Sequence, residues 1–419
     1  MSTWKSYRLG ELFDLKHGYA FKGDFFSNEG KLVLLTPGNF HEHGGLKLKG
    51  EKEKYYSGEV PGEYLLRRGD LLIAMTDLMQ EAPILGSPAF IPEDGRYLHN
   101  QRLGKVVNLN EDAITPNFLF YLLNTPKVRS QIKATATGAT VRHTAPSRVA
   151  AVLVNLPSIP IQNYITGILS AYDDLIENSQ RRIKILESMA RGLYREWFVH
   201  FRFPGHEGHP RVASPLGEIP QGWTCCALGD FVSFKTGFSF KSGTFSQDGN
   251  HRLVTIRNVQ DGVFDPEPGT RIGTLPTNLP GHCILKDGDI LLSLTGNIGR
   301  TCLVYGGSYL LNQRVAKVVP LDATDAAMAY CLFRQDDTRS SLERISNGVA
   351  QQNLSPILAA SLPFACPPKD LRRLFSNMAA PMIDSLVHLS STIQNLRKTR
   401  DLLLPRLLSG QIDLDEAEP

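Results

Sequence analysis

One offset of 219 residues relates the two halves of this chain, and no other feature of the sequence constrains its fold as strongly. Trp4, Leu9, Gly10, Lys16, Gly18, Phe21, Lys22, Phe26, Ser27, Gly30, Leu34, Thr36 and Asn39 return as Trp223, Leu228, Gly229, Lys235, Gly237, Phe240, Lys241, Phe245, Ser246, Gly249, Leu253, Thr255 and Asn258. The register holds farther on, where Gly69-Asp70 and Thr76 match Gly288-Asp289 and Thr295. Solenoid units run about 20–50 residues, so a repeat this long is a whole domain. The 419 residues hold two such domains with connectors, and a hydrophobic content of 42% fills two cores. Two related domains present two similar surfaces, which suits a target made of two halves, as double-stranded DNA is.

The formal net charge is only +3, so any basic face is hidden within a balanced total. The opening residues have no apolar run of a signal peptide, and no stretch reaches the length that crosses a bilayer. All six cysteines lie in the second half, so neither disulfides nor zinc belong to the shared design. The expectation is a cytoplasmic chain away from the membrane.

Within each copy, short apolar runs alternate with Gly, Asn and Asp. Lys31–Leu35, Leu71–Met75 and Lys105–Leu109 are answered by Arg252–Ile256, Ile290–Leu294 and Val315–Val319, which predicts a mixed sheet. A short helix follows in each, Pro116–Leu123 and Ala326–Phe333. The apolar period then changes. Ile165, Ile168, Tyr172, Ile176, Ile183, Leu186, Ala190, Leu193 and Trp197 step by threes and fours, with Ser179 in the gap, and predict one long amphipathic helix. Phe375, Met378, Met382, Leu386, Leu389, Ile393, Leu396, Leu403 and Leu407 predict a second, with a kink at Pro381 and a bent or terminated last turn at Pro405. A long helix with one apolar stripe is unstable alone, so the two should pack as an antiparallel coiled coil. The helix-packing set is Ile168, Tyr172, Ile176, Ile183, Leu186, Leu193, Leu386, Leu389, Ile393, Leu396 and Leu403.

The fold class is therefore α+β: two related mixed domains separated by two long helices, with an internal pseudo-twofold repeat. The plan assigns residues 1–155 to the first domain and 156–202 to the first helical spacer. Residues 203–222, rich in Pro, Gly and His, read as a linker. The second domain takes 223–362, the second spacer 363–412, and 413–419 form an acidic tail.

Three duplicated motifs carry candidate chemistry. Lys16–Lys22 and Lys235–Lys241 read Lys-x-Gly-aromatic-x-Phe-Lys, a glycine-hinged loop whose lysines suit a phosphate backbone. The alternative is a strand-turn-strand with solvated lysines and buried aromatics. Asn100-Gln101-Arg102 and Asn312-Gln313-Arg314 could offer Gln to adenine and Arg to guanine or phosphate. Identity between the copies favours phosphate positioning or a structural turn there, because domains reading different sequences should differ where they touch bases. Arg142-His143 stands where the second copy has Gln352-Asn353, next to Gln351, and this divergence makes the segment the better reader of sequence. A plain helix-capping loop is the rival. The DNA-facing set is completed by Asn39, Thr76, Arg257, Asn258, Thr295 and Asn297.

No Walker loop, amino-methyltransferase motif or zinc-protease motif is present. His41-Glu42-His43 and His206-Glu207-Gly208-His209 lie in Gly-rich loops without a third ligand nearby and read as solvated histidines. No catalytic residue and no metal ligand is assigned.

This layout resembles the specificity subunit of type I restriction–modification enzymes over essentially the whole chain. The resemblance rests on the paired Leu-Gly-acidic starts, the two Lys-x-Gly-aromatic-x-Phe-Lys loops and the Asn-Gln-Arg turns. To these it adds Asp173-Asp174-Leu175-Ile176-Glu177-Asn178 and Leu403-Leu404-Pro405-Arg406-Leu407-Leu408-Ser409-Gly410. It implies two target recognition domains, each reading half of a split site in double-stranded DNA. It also implies long helices that space the domains and dock methyltransferase subunits, two per chain, with a restriction subunit joining through the complex. The chain itself is then non-catalytic and holds no cofactor; S-adenosylmethionine, ATP and Mg belong to the partners. The competing readings are a DNA-modifying enzyme with an unrecognised site and a protein-binding structural adaptor.

Overall fold

Each repeat closes by pairing its first strand with its last. Lys5–Arg8 runs antiparallel to Leu153–Leu156, and Thr224–Ala227 runs antiparallel to Pro363–Cys366. In both cases the closing strand leads within three residues into a long helix, Ile159–Tyr194 or Lys369–Leu407. The computed structural model describes residues 4–246, 248–267, 269–346 and 353–412. It forms two units, Met1–Asp174 with Arg397–Pro419, and Leu175–Leu396.

The repeats share a four-stranded sheet in the same order, while the second sheet has four strands in the first repeat and five in the second. A four-stranded antiparallel sheet runs Asp14–His17, Leu103–Val107, Leu71–Ala74, Pro88–Phe90 in the first repeat. It runs Val232–Thr236, Val315–Pro320, Ile290–Ser293, Thr301–Leu303 in the second. The central Leu71–Ala74 and Ile290–Ser293 are buried on both faces, as the apolar runs Leu71–Ala74 and Ile290–Leu292 require. A second sheet is mixed, because Val33–Leu34 and His251–Val254 lie parallel to Tyr97–Leu98 and Tyr309–Leu311. The helices Pro116–Leu123 and Ala326–Phe333 have the bounds read from sequence. Thr115 caps the first of them, its hydroxyl accepting from Phe118 N at 3.3 Å.

The long helices measure about 54 and about 58 Å at 1.5 Å per residue. In the second unit they run antiparallel. Tyr194 meets Phe375 at one end, with ring centroids 6.0 Å apart, and Leu175 and Ser179 line a groove with Leu389 and Leu396 at the other. Of the helix-packing set, Ile176, Leu386, Leu389 and Ile393 are buried. Ile168, Tyr172, Ile183, Leu186, Leu193, Leu396 and Leu403 are half-buried. The second helix continues through both prolines and stops two residues after Pro405; Ser385 Oγ donates to the Pro381 carbonyl at 2.7 Å. Residues 203–222, expected to be a linker, contain a hairpin of Arg211–Ser214 and Gly217–Pro220.

Polar brackets fasten each domain to the helices of its own unit. Tyr121 donates to Asp173 at 2.6 Å, and Arg400 pairs with the other oxygen of the same carboxylate. In the second unit Tyr330 donates to Glu187 at 3.3 Å, and Arg334 reaches the same carboxylate at 2.7 Å. At the helix starts, buried Gln162 accepts from Thr115 N at 3.0 Å and donates to the Ala113 and Pro157 carbonyls. The corresponding place in the second repeat is held by an Arg372–Asp325 ion pair.

Trp4 and Trp223 mark the start of each repeat, and a different segment covers each. Trp223 is enclosed by Phe198, Phe201 and Phe203, which follow the first long helix. A π-helical turn over Arg195–Val199 lets the adjacent Trp197 and Phe198 both face inward. Trp4 instead lies against Gly410, just past the second helix, and Leu407 and Leu408 are buried in the core of the first unit. Ending the chain at Pro405 removes these two leucines at about 1.5–3 kcal/mol each. We expect amide exchange to accelerate in Pro116–Leu123 and to stay unchanged in Ala326–Phe333.

Candidate nucleic-acid interface

Backbone hydrogen bonds bring the duplicated motifs together at one end of each four-stranded sheet. In the first repeat Tyr19 N donates to His99 O at 2.8 Å and Gln101 N to Tyr19 O at 3.0 Å. Met75 N donates to Arg102 O at 3.0 Å, and Thr144 N donates to Met75 O at 3.0 Å. Beyond them Thr76 and Asp77 pair with His143 and Arg142. The second repeat reproduces the chain of contacts: Phe238 N to Leu311 O at 2.9 Å, Gln313 N to Phe238 O at 3.1 Å, Leu294 N to Arg314 O at 3.1 Å and Leu354 N to Leu294 O at 2.8 Å. Thr295 bridges to Asn353 where Thr76 meets His143.

The glycine of the Lys-x-Gly motif is explained by this crossing. A Cβ on Gly18 would run into the carbonyl oxygen of Asn100, and one on Gly237 into that of Asn312. Two motifs that are 82 positions apart in the first repeat are thus one structural unit, which accounts for their identity in both copies.

Several expected side chains do line this edge in the open. Gln101, Arg102 and His143 are exposed in the first repeat, with Arg142 half-buried. Gln313, Arg314, Asn297, Arg257 and Asn353 are exposed in the second. His143 is held in place, since its Nδ1 lies 3.0 Å from the Thr76 hydroxyl. Lys22 and Lys241 are exposed on the loops that leave the edge, and neither forms an ion pair among the described residues. Gln351 and Gln352 lie outside the described residues.

Other expected contacts are corrected by burial. Asn39 and Asn258 are 1% and 3% exposed. Their side-chain oxygens accept from Thr36 N at 3.0 Å and Thr255 N at 2.7 Å, and their amides donate to Glu53 and to the Asp265 carbonyl. These asparagines brace a turn and cannot reach a ligand. Thr76 and Thr295 are also buried, and the Thr76 hydroxyl meets the exposed His143. Lys16 is already engaged: it bonds Glu63 at 2.5 Å and lies over the Tyr64 ring at 5.1 Å. The Glu63 hydrogen bond raises its pKa. Lys235 is exposed and has no such pair among the described residues.

Sequence reading missed one cation because it comes from a different position in each repeat. Arg257 stands in the Thr255–Asn258 turn where the first repeat has Gly38. A side chain on Gly38 would point at Lys49 Nζ, 3.2 Å away, and that ammonium bonds Thr36 Oγ1 at 3.0 Å and Asn39 Oδ1 at 2.9 Å. Burial lowers the Lys49 pKa, against the pull of Glu53. Also unforeseen were the matched ion pairs Lys105–Asp70 and Lys317–Asp289, both 2.7 Å, which fasten the Gly-Asp turns to the neighbouring strand. Among the described residues no group of three or more His, Cys, Asp or Glu is placed to hold a metal ion. Among them, too, no helix is long and apolar enough to cross a membrane.

The sequence model of a protein family described as the type I restriction modification DNA specificity domain matches residues 1–188 and again 220–369. The chain belongs to this family. It is similar to the MjaIX specificity subunit of a type I restriction enzyme from Methanocaldococcus jannaschii, with 24% identity over 73% of this chain and 71% of that one. It is also similar to the HindI specificity subunit of Haemophilus influenzae, 22% identical over 98% of this chain and all of that one. The crystal structure of a type I restriction–modification S subunit from M. genitalium shares the fold, with a TM-score of 0.60 at 17% identity, covering 97% of this chain and 96% of that one.

Beneath the edge of this specificity-family chain lies a group that responds to pH. His99 is wholly buried; its Nε2 bonds Leu103 O at 3.0 Å, and its Nδ1 has no partner among the described residues. Burial pushes its pKa down to about 4. Unfolded histidine takes up a proton near pH 6.5 while the folded ring stays neutral, so stability is full above that pH and falls as pH drops toward 4. Half-buried His41 and exposed His43 are shifted in the same direction, chiefly by desolvation. The second repeat has Leu311 at the place of His99. His99→Leu should therefore remove about 2 kcal/mol of the acid sensitivity of the first unit, read from denaturation midpoints between pH about 7 and about 5.

Proposed function

We propose that the chain is the non-catalytic DNA-recognition subunit of a type I restriction–modification complex, reading a bipartite site with one half per repeat. The observation that carries this reading is a duplicated edge with a constant frame and divergent side chains. The same hydrogen bonds hold Gln101-Arg102 and Gln313-Arg314, while Arg142-His143 faces the place of Asn353 and Gly38 the place of Arg257. A shared scaffold with different exposed groups is what two half-sites of different sequence require. Exposed Arg102, Arg314, Lys22 and Lys241 supply phosphate contacts.

The long helices dock the methyltransferase subunits, two per chain, and the restriction subunit joins through that complex in the cytoplasm. Leu175, Ile185, Met189, Leu374 and Met378 are exposed on these helices in the second unit and give such partners an apolar surface. The chemistry of S-adenosylmethionine, ATP and Mg belongs to those subunits.

Mapping modified bases in host DNA with and without this gene tests the reading, and a split recognition sequence that disappears with the gene is the expected result. Exchanging residues 1–155 for the matching domain of a relative should change one half of that sequence and leave the other intact. A simultaneous change in both halves would sink the modular reading. Lys22→Ala and Lys241→Ala should each weaken specific and non-specific binding alike, and lower the salt slope by about one unit. Lost binding at an unchanged slope would assign the lysine a structural role instead.

A further inference from the structure

The edge of the first repeat has an element that the second lacks. After Thr76 the chain continues Asp77-Leu78-Met79-Gln80, where the second repeat has Gly296-Asn297-Ile298-Gly299. Asp77 is buried, and its carboxylate accepts from Met79 N at 2.9 Å and Ile84 N at 2.7 Å. Arg129, itself buried, reaches in from the helix Pro126–Ala134 and donates to the Pro83 carbonyl at 2.5 Å. Farther along, Ala82 and Leu85 are packed into the domain core. The loop is thus anchored at both ends and able to bury apolar groups.

It keeps two of them out. Leu78 and Met79 are 62% and 56% exposed, side by side. Single exposed apolar residues are ordinary on any protein and need no account. These two differ in their surroundings: Arg142 stands across from Asp77, His143 across from Thr76, and exposed Arg102 follows on the neighbouring turn. An apolar pair on a braced loop adjoins a polar edge that carries Arg102, Arg142 and His143, with exposed Glu81 two residues after Met79.

We propose that Leu78 and Met79 read thymine in the half-site of the first repeat, through contact with its 5-methyl group in the major groove. This rests on the DNA-recognition reading above and adds to it which side chains specify a base. Duplex DNA is the occupant that the neighbours select, since Arg102 and Arg142 match its charge. The thymine methyl is the apolar group that base edges present in the major groove. The buried Asp77 carboxylate fixes the loop before DNA arrives, so little ordering is left to oppose a small apolar contact. The second repeat carries Asn297 in place of Leu78, a side chain suited to the hydrogen-bonding edge of adenine and not to a methyl group.

The test uses the full chain in its assembled complex and the bipartite site found by mapping. Each thymine of the first half-site is replaced in turn by uracil, which removes only the methyl group. Wild type should lose about fourfold in affinity at one or two of these positions, the worth of one buried methyl. The double variant Leu78→Ala/Met79→Ala should bind the thymine duplex more weakly and no longer distinguish it from uracil. Its response to uracil in the second half-site should equal that of wild type, which also reports an intact fold. A wild type indifferent to uracil throughout the first half-site, or a variant as sensitive as wild type, overturns the proposal. If mapping returns no bipartite site, the recognition reading falls first and takes this assignment with it.

Discussion

The pairing of first strand with last is the contact on which the rest of each repeat depends. It fixes where the chain leaves the domain and in which direction, because the closing strand enters its long helix after a two-residue connection. A helix started in this way cannot choose its own register, and the groups near its start must suit the domain that precedes it. The two repeats meet that demand with different chemistry. One uses the neutral amide of Gln162, fully buried and satisfied on both sides. The other uses Arg372 against Asp325, where loss of either partner would strand a charge. Geometry was retained through duplication while the atoms that enforce it changed.

The same separation of frame from content runs through the candidate interface. Gly18 against Asn100, and Gly237 against Asn312, leave no room for variation, since any side chain would strike a carbonyl. The glycine at this crossing is consequently the same in both copies, while the residues whose backbones bond beside it carry different side chains, Tyr19 and His99 in one and Phe238 and Leu311 in the other. Around the crossing, exposed positions have drifted apart. The frame tolerates this because its hydrogen bonds are made by backbone atoms, which do not depend on the side chain they carry.

This explains what could be read from the sequence and what could not. The repeat, the short helices and the long helices were legible because each is a local or strictly periodic signal. The six strands expected from apolar runs fall within two residues of their expected bounds, while the remaining short strands had no such signal. Asn39 and Asn258 were misread for a physical reason: identity between repeats marks them equally as scaffold or as contact, and only burial separates the two. The ion pair of Lys16 was invisible because its partner Glu63 is 47 residues away with no motif to join them. Lys49 was invisible since it supplies from a loop the charge that Arg257 supplies from a turn. In residues 203–222, turn-rich composition concealed the hairpin that those very turns form.

The covers over the two tryptophans carry a last consequence. Trp223 is enclosed by Phe198, Phe201 and Phe203, all made before it on the ribosome. Trp4 must wait for Gly410, and the core around it for Leu407 and Leu408. The domain synthesised first is therefore the one that finishes last. Until Leu407 and Leu408 are made, its core lacks two of its buried side chains, while Leu175–Leu396 already contains every buried residue of its own core. Translation thus supplies every buried residue of the second unit's core before the first unit receives its last two.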